Sequence, residues 1–388
     1  MDTPATGTGP AVALLEGLRV LDLTRLHPGA HCTALLADLG ADVLKVEAPG
    51  VGDGLRDLGE QFPAAHTALN RGKRSVTLDV RSPGGADVLR RLASDVDVVV
   101  EGERPGSLDA RGIGYEDLRR TNPRLIWCSI TGYGPDGPNA QAPGRDLAWA
   151  GHSGLLSQLT IDGTPPKPTA PLTLQVAALA AALGIASAVV HRERTGSGAR
   201  IDTSMVDAGT WMLAEQLTRV ANSEPQAPGV KATRNVYRCS DDRWVTCTTT
   251  GPRAWARLVE ALELPDLADA QARDGEESIV RRFMQAFAAK PQAHWIDRPG
   301  PSGGVGAVRE LEDLVDDPQI TEHHGMPRVD GDGPQVVASP LRIDGRPSDL
   351  SSQALTSPPA LGEHTAEVLR SVGYTEEEIA ALRADEVI

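Results

Sequence analysis

The sequence predicts an α/β fold, with a large first domain and a smaller α+β second domain, on three observations. Short β-rich runs alternate with helical segments from residue 18 to about 130, an alanine-rich helix follows, and beyond residue 231 the pattern changes to a hairpin and helices.

The first unit reads strand, helix, strand. LRVLDLT (18–24) is short and rich in β-formers, PGAHCTALLADLG (28–40) is an amphipathic helix ending at Gly40, and ADVLKVE (41–47) is a second strand parallel to the first. The unit lacks G-x-G-x-x-G, and Pro28-Gly29-Ala30 is too general a helix start to imply a dinucleotide cofactor. A glycine-rich loop after Pro49 leads to NRGKRSVTLDV (70–80), where a basic turn of Arg71, Lys73 and Arg74 precedes a strand. Ser82 and Pro83 start the next helix as N-cap and first-turn proline, and Val96–Val100 and Arg124–Ile130 are further strands. The turn at Arg104-Pro105-Gly106 and the segment Ile130–Pro138 each follow the carboxyl end of a strand, where open α/β sheets bind ligands.

Pro143–Gly154 (PGRDLAWAGHSG) passes from a loop into a helix. Leu172–Val190 is nearly long enough to span a bilayer, but alanine dominates it and Thr173, Gln175 and Ser187 interrupt it, which predicts a buried helix at a domain centre or subunit interface. The chain then turns through Gly196 and Gly198 into a short strand and another helix. Asn222–Lys231, polar and proline-containing, marks the domain boundary; YRCSDDRWVTCTTT (237–250) reads as a hairpin, and helical patterns fill 253–288. Gly362–Arg370 is helical, and Thr375 with Glu378 forms a capping box for the last helix.

Acidic residues outnumber basic ones by 53 to 38, for a net charge of −15, so the overall field repels nucleic acid and anionic membranes, and any anionic ligand needs a local basic patch. Cys32, Cys128, Cys239 and Cys247 are widely spaced without a CxxC pair, which argues against a disulfide framework or a zinc site and fits the reducing cytoplasm. The N-terminal segment has no basic region followed by a sustained apolar run, so no secretory signal is expected.

Seven stretches, in order along nearly the whole chain, resemble the class III CoA-transferase family (CaiB/BaiF type), and most closely its α-methylacyl-CoA racemase branch. They are the segments at 15–50, 70–80, 101–106, 122–138, 184–207, 237–245 and 362–382, among them NRGKRSVTLDV, EGERPG, NPRLIWCSITGYGPDGP and YRCSDDRWV. The resemblance implies a Rossmann-like large domain built from both chain ends, a small second domain, and an interlocked homodimer, with a heterodimer as the alternative. The corresponding division is 10–221, 222–330, and 331–388 returning to the large domain. It also implies coenzyme A as part of an acyl-CoA substrate, with no permanently bound cofactor. Arg71, Lys73, Arg74 and Arg104 are then the cations expected to hold the phosphates.

The resemblance also says where the chemistry should sit. Racemases of this branch exchange the proton α to the thioester carbonyl with a histidine and an aspartate, the histidine in a GHD motif. Here the triplet is Gly144-Arg145-Asp146, and a guanidinium that stays protonated cannot act as base, although it can hold a carboxylate or an enolate oxygen. The family aspartate falls on Ala177 or in a gap, which also removes the aspartyl nucleophile of the transferases, and a third acidic position falls on Gly251. The expected site therefore comprises Arg145, Asp146 and His152. Asp146 has a competing structural reading as a helix cap, His152 has one as a packed core residue, and His323 and His324 are weaker candidates. Three functions stay open: an acyl-CoA enzyme with a rewired site, a non-catalytic subunit of an active homologue, and an enzyme of a non-CoA substrate.

Overall fold

The computed structural model describes residues 12–57, 63–160, 163–225, 231–268, 275–297, 304–347 and 355–388. The chain divides into two compact units, Met1–Glu215 with Thr321–Ile388, and Gln216–Ile320.

The first unit is built on a six-stranded parallel sheet. Its strands are β1 (Arg19–Asp22), β2 (Asp42–Glu47), β3 (Arg74–Thr77), β4 (Val98–Glu101), β5 (Ile126–Thr131) and β6 (Arg200–Ser204), in the order β3-β2-β1-β4-β5-β6. The chain works outward from β1 through α1 (His27–Asp38), then α2 (Gly54–Asp57) and α3 (Pro63–Asn70). It returns by α4 (Pro83–Ala93) to lay β4 on the other side of β1, and α5 (Tyr115–Leu118) precedes β5. Between β1 and β4 the loops leaving the carboxyl ends diverge in opposite directions, which opens a crevice at this topological switch point. Register fixes what meets there, since Asp22 lies opposite Lys45 on one side and Val100 on the other. After β5 come α6 (Asp146–His152), α7 (Leu155–Gln158) and α8 (Leu172–Thr195); after β6 come α9 (Met205–Trp211) and α10 (Ala214–Ala221), where the chain leaves the unit.

The helix α8 meets the expectation of burial on one face only. Ala177, Ala178, Ala181, Ile185 and Ala188 bury one face against α1 and the sheet, but Leu179, Leu183 and Val190 on the other are 50%, 70% and 51% exposed. Small residues let α8 lie close to α1, and its outward face stays apolar and open.

The second unit is α+β. An antiparallel sheet of β7 (Arg234–Arg238), β8 (Trp244–Thr248) and β9 (Val305–Ala307) carries α11 (Pro252–Ala261), α12 (Glu276–Phe287), α13 (Gln292–Asp297) and α14 (Leu311–Val315). Tyr237 stacks on Phe287 at 4.8 Å in a core shared with Phe283, Trp255 and Trp295.

The C-terminal segment adds the small ladder β10 (Arg342–Ile343) and β11 (Arg346–Pro347), then α15 (Thr365–Ser371) and α16 (Glu376–Ala384), the last with its Thr375/Glu378 capping box. Val368, Leu369 and Ile379 join Leu21, Val76 and Leu89 in the core on the face of the sheet away from α8. The His364 amide donates to the Ser75 carbonyl at 2.9 Å, which fastens the tail to β3. Both ends of the chain thus build the large unit.

Candidate functional site

A cavity of about 420 Å³ occupies the crevice between the loops that leave β1, β4 and β5. Thr24–Gly29 form one wall, Gly102–Pro105 a second, and Gly144–Asp146 with Trp149 a third. The Trp149 indole lies against two glycines: a methyl at Gly132 would sit 2.7 Å from its Nε1, and one at Gly144 2.4 Å. Neither glycine needs an unusual φ; close approach of the ring requires them. Arg25, Arg104 and Arg145 all line the cavity and are exposed, three guanidinium groups against the two carboxylates Glu103 and Asp146 in the same lining, a local cationic excess in an acidic protein. A narrower groove beside it, toward β2 and β3, adds Arg81 and Arg111 and shares Arg25 and Glu103.

Of the residues expected from sequence, Arg145 and Asp146 enter the cavity together. Arg145 is the N-cap of α6 through its backbone, its carbonyl accepting from the Ala148 amide at 2.9 Å, which leaves its side chain available. Asp146 does not cap its own helix. Its Oδ1 accepts from the Thr173 hydroxyl at 2.5 Å, the Thr173 amide at 3.1 Å and the Leu174 amide at 3.3 Å, capping the start of α8 from outside. His152 is exposed at the end of α6, edge-on to Tyr133 at 5.3 Å, and does not line the cavity. The side chains of His323 and His324 lie outside the described residues.

The basic turn has other work. Arg71 is buried in a bidentate pair with Asp38 at 2.5 and 3.1 Å, and Arg74 pairs with Asp42 at 3.0 and 2.7 Å at the amino end of its strand, away from the crevice. Lys73 is buried on Asp22 at 3.2 Å, with the Thr33 hydroxyl at 2.8 Å and the Ala30 carbonyl at 3.0 Å. Of the four cations expected to hold phosphates, only Arg104 stands free at a strand end, with no ion pair among the described residues; Arg25, which the sequence reading did not single out, joins it.

Lys73 belongs to a charge cluster beneath the cavity. Asp22 lies 3.2 Å from Lys73 and 3.6 Å from Lys45, and Lys45 reaches Asp53 at 2.7 Å. Burial alone would raise the Asp22 carboxyl, but Lys45, Lys73 and the Thr24 and Thr33 hydroxyls hold it well below the carboxylate range. Burial draws Lys73 down to about 8 in spite of Asp22.

The structure adds His27, which no sequence motif singles out. It is the first residue of α1, lines the cavity, and stands edge-on to His31 at 5.7 Å. Its Nδ1 is buried without a hydrogen-bond partner. Burial pulls the imidazole below its ordinary value, and the Asp146 carboxylate pulls it back up. The α8 residue at the cavity wall is Leu174, whereas Ala177 is fully buried in the core. Gly251 is the N-cap of α11 in the second unit. Among the described residues no cluster of three histidine, cysteine or carboxylate side chains is arranged for a metal.

Comparison with known proteins agrees with this architecture. The family model described as CoA-transferase family III matches residues 15–365. Human alpha-methylacyl-CoA racemase is 32% identical, over 96% of this chain and 97% of its own length. Succinyl-CoA:glutarate CoA-transferase from Mus musculus is 31% identical, over 96% of this chain and 90% of its own. The crystal structure of a CaiB/BaiF family protein from Brucella suis superimposes with a TM-score of 0.80 at 30% identity, covering 92% of this chain and 99% of that one.

Proposed function

The chain belongs to CoA-transferase family III, and from that premise we propose that the crevice between β1 and β4 binds an acyl-CoA thioester at a rewired reacting centre. The observation that carries the reading is the presence of Arg25, Arg104 and Arg145 in the lining of one largely apolar cavity in a protein of net charge −15. Such a lining selects a polyanionic ligand, and its apolar part, formed by Leu26, Leu55, Leu174 and Met205, takes an acyl chain. The racemase and the transferase above, whose names include a CoA thioester, support the ligand class.

Two side chains support the rewiring: Arg145 is a guanidinium, a poor proton acceptor, and α8 puts Leu174 at the cavity wall, while the carboxylate that does line the cavity, Asp146, is engaged on the start of α8. Arg145 instead supplies a fixed positive charge where a thioester oxygen can gain electron density. The open apolar face of α8 and the 74% exposed Trp211 of α9 favour association with a second copy of the chain in an interlocked dimer.

Calorimetric titration with CoA and with a 2-methylacyl-CoA tests the ligand class. Binding in the micromolar range is expected; no binding at millimolar ligand contradicts it, and would favour a non-CoA substrate in the same cavity.

A further inference from the structure

We propose that His27 is the proton-transferring base of this cavity, taking the proton from the carbon next to the thioester carbonyl; the proposal rests on the acyl-CoA reading above. A histidine at a helix start is ordinarily a solvated or packed side chain. This one lines the cavity together with Arg145 and Asp146. Its Nδ1 is sealed from solvent with no partner, so Nε2 is the nitrogen left to meet a ligand, and no hydrogen bond among the described residues commits it elsewhere. The role requires the neutral tautomer with its proton on Nδ1, which presents an Nε2 lone pair.

The ring is also held in place. Leu26, immediately before it, takes φ 64° and ψ −160°, a backbone state that residues other than glycine rarely adopt. Its amide donates to Asp53 Oδ1 at 3.2 Å, and Asp53 is pinned by Lys45. The buried charge cluster thereby fixes the turn that aims His27, and His31 walls off its other side. Burial keeps the imidazole neutral at neutral pH, as a base must be, and the Asp146 carboxylate favours the imidazolium once the proton has moved.

The step balances without a further reagent. The Cα–H bond breaks, an N–H bond forms at Nε2, and the electron pair passes to the thioester oxygen as an enolate facing the guanidinium of Arg145. Reversal returns a proton to the same carbon, and exchange of the imidazolium with solvent in between replaces hydrogen with deuterium.

The test follows α-deuterium incorporation into a 2-methylacyl-CoA by NMR in deuterated water, for the wild type, His27→Gln and His27→Ala, with acyl-CoA affinity measured in parallel by calorimetry. The expected result is exchange by the wild type, lost by about 100-fold or more in both variants with affinity unchanged within about twofold. The wild-type rate should rise with pH below the ordinary histidine value of 6.5 and level off by neutrality. The charged and titratable groups around His27 are Asp146 and His31, with Lys73 behind His31, and Arg25, Glu103, Arg104 and Arg145 in the same cavity lining. If the variants lose affinity through misfolding, this profile decides, and a wild-type rate that shows no fall on the acid side of 6.5 over the whole range in which the protein stays folded overturns the proposal. Undiminished exchange in His27→Gln overturns it, as does a wild type that binds acyl-CoA without exchange. A wild type that binds no acyl-CoA overturns the ligand reading and the base with it.

Discussion

The Asp146 carboxylate spends its Oδ1 on the Thr173 hydroxyl and two amides at the start of α8. Asp146→Ala is therefore expected to lower stability by about 1–2 kcal/mol, read from the urea midpoint at constant slope. An unchanged midpoint would show that the cap carries no net stability. Sequence could show that this aspartate sits at a helix start, but its partners lie 27 and 28 residues later, and only the fold brings them to it. His27 was less legible still. Beside Pro28 it looks like any helix opening; its meaning comes from the divergence of the loops after β1 and β4, a tertiary fact with no local signature. His152, by contrast, follows an apolar run and invites a pocket role, yet packs on Tyr133 outside the cavity.

At the scale of elements, the strand–helix alternation, the Ser82 cap and the final capping box were readable because each depends on neighbours within a few residues. The basic turn before β3 was not, because its partners Asp22, Asp38 and Asp42 lie roughly thirty to fifty residues upstream and only the parallel register delivers them. The sharpest consequence concerns Asp22, which is buried and shared by two ammonium groups. Replacing it with asparagine leaves the buried Lys73 without its carboxylate partner, while Lys45 keeps Asp53, and the expected cost is about 3–5 kcal/mol, measured by denaturant unfolding. Lys73→Met, which removes a cation that burial already disfavours, should cost clearly less. Equal losses would contradict the view that Asp22 is the keystone of the cluster.

For the whole molecule, the alanine-rich α8 shows how composition can set an element while leaving its surroundings open. Its small residues settle the packing on α1, and its outward leucines wait for a partner. If that partner is a second copy, light scattering should give twice the chain mass of 40.9 kDa, and Leu183→Glu should shift it toward the monomer. A wild type that is monomeric at tens of micromolar would remove the interlocked dimer. The acidic chain also limits where an anion can bind: of the four cations expected to hold phosphates, Arg104 is the one at the crevice with no ion pair among the described residues, and Arg145 lines the same cavity. The most direct measurement is calorimetric titration of CoA into the wild type, Arg104→Ala and Arg74→Ala. The account predicts that Arg104→Ala weakens binding by about tenfold, or ~1.4 kcal/mol, while Arg74→Ala leaves it unchanged. Equal affinity in Arg104→Ala and wild type, or a loss confined to Arg74→Ala, would contradict placement of the ligand in the crevice between β1 and β4.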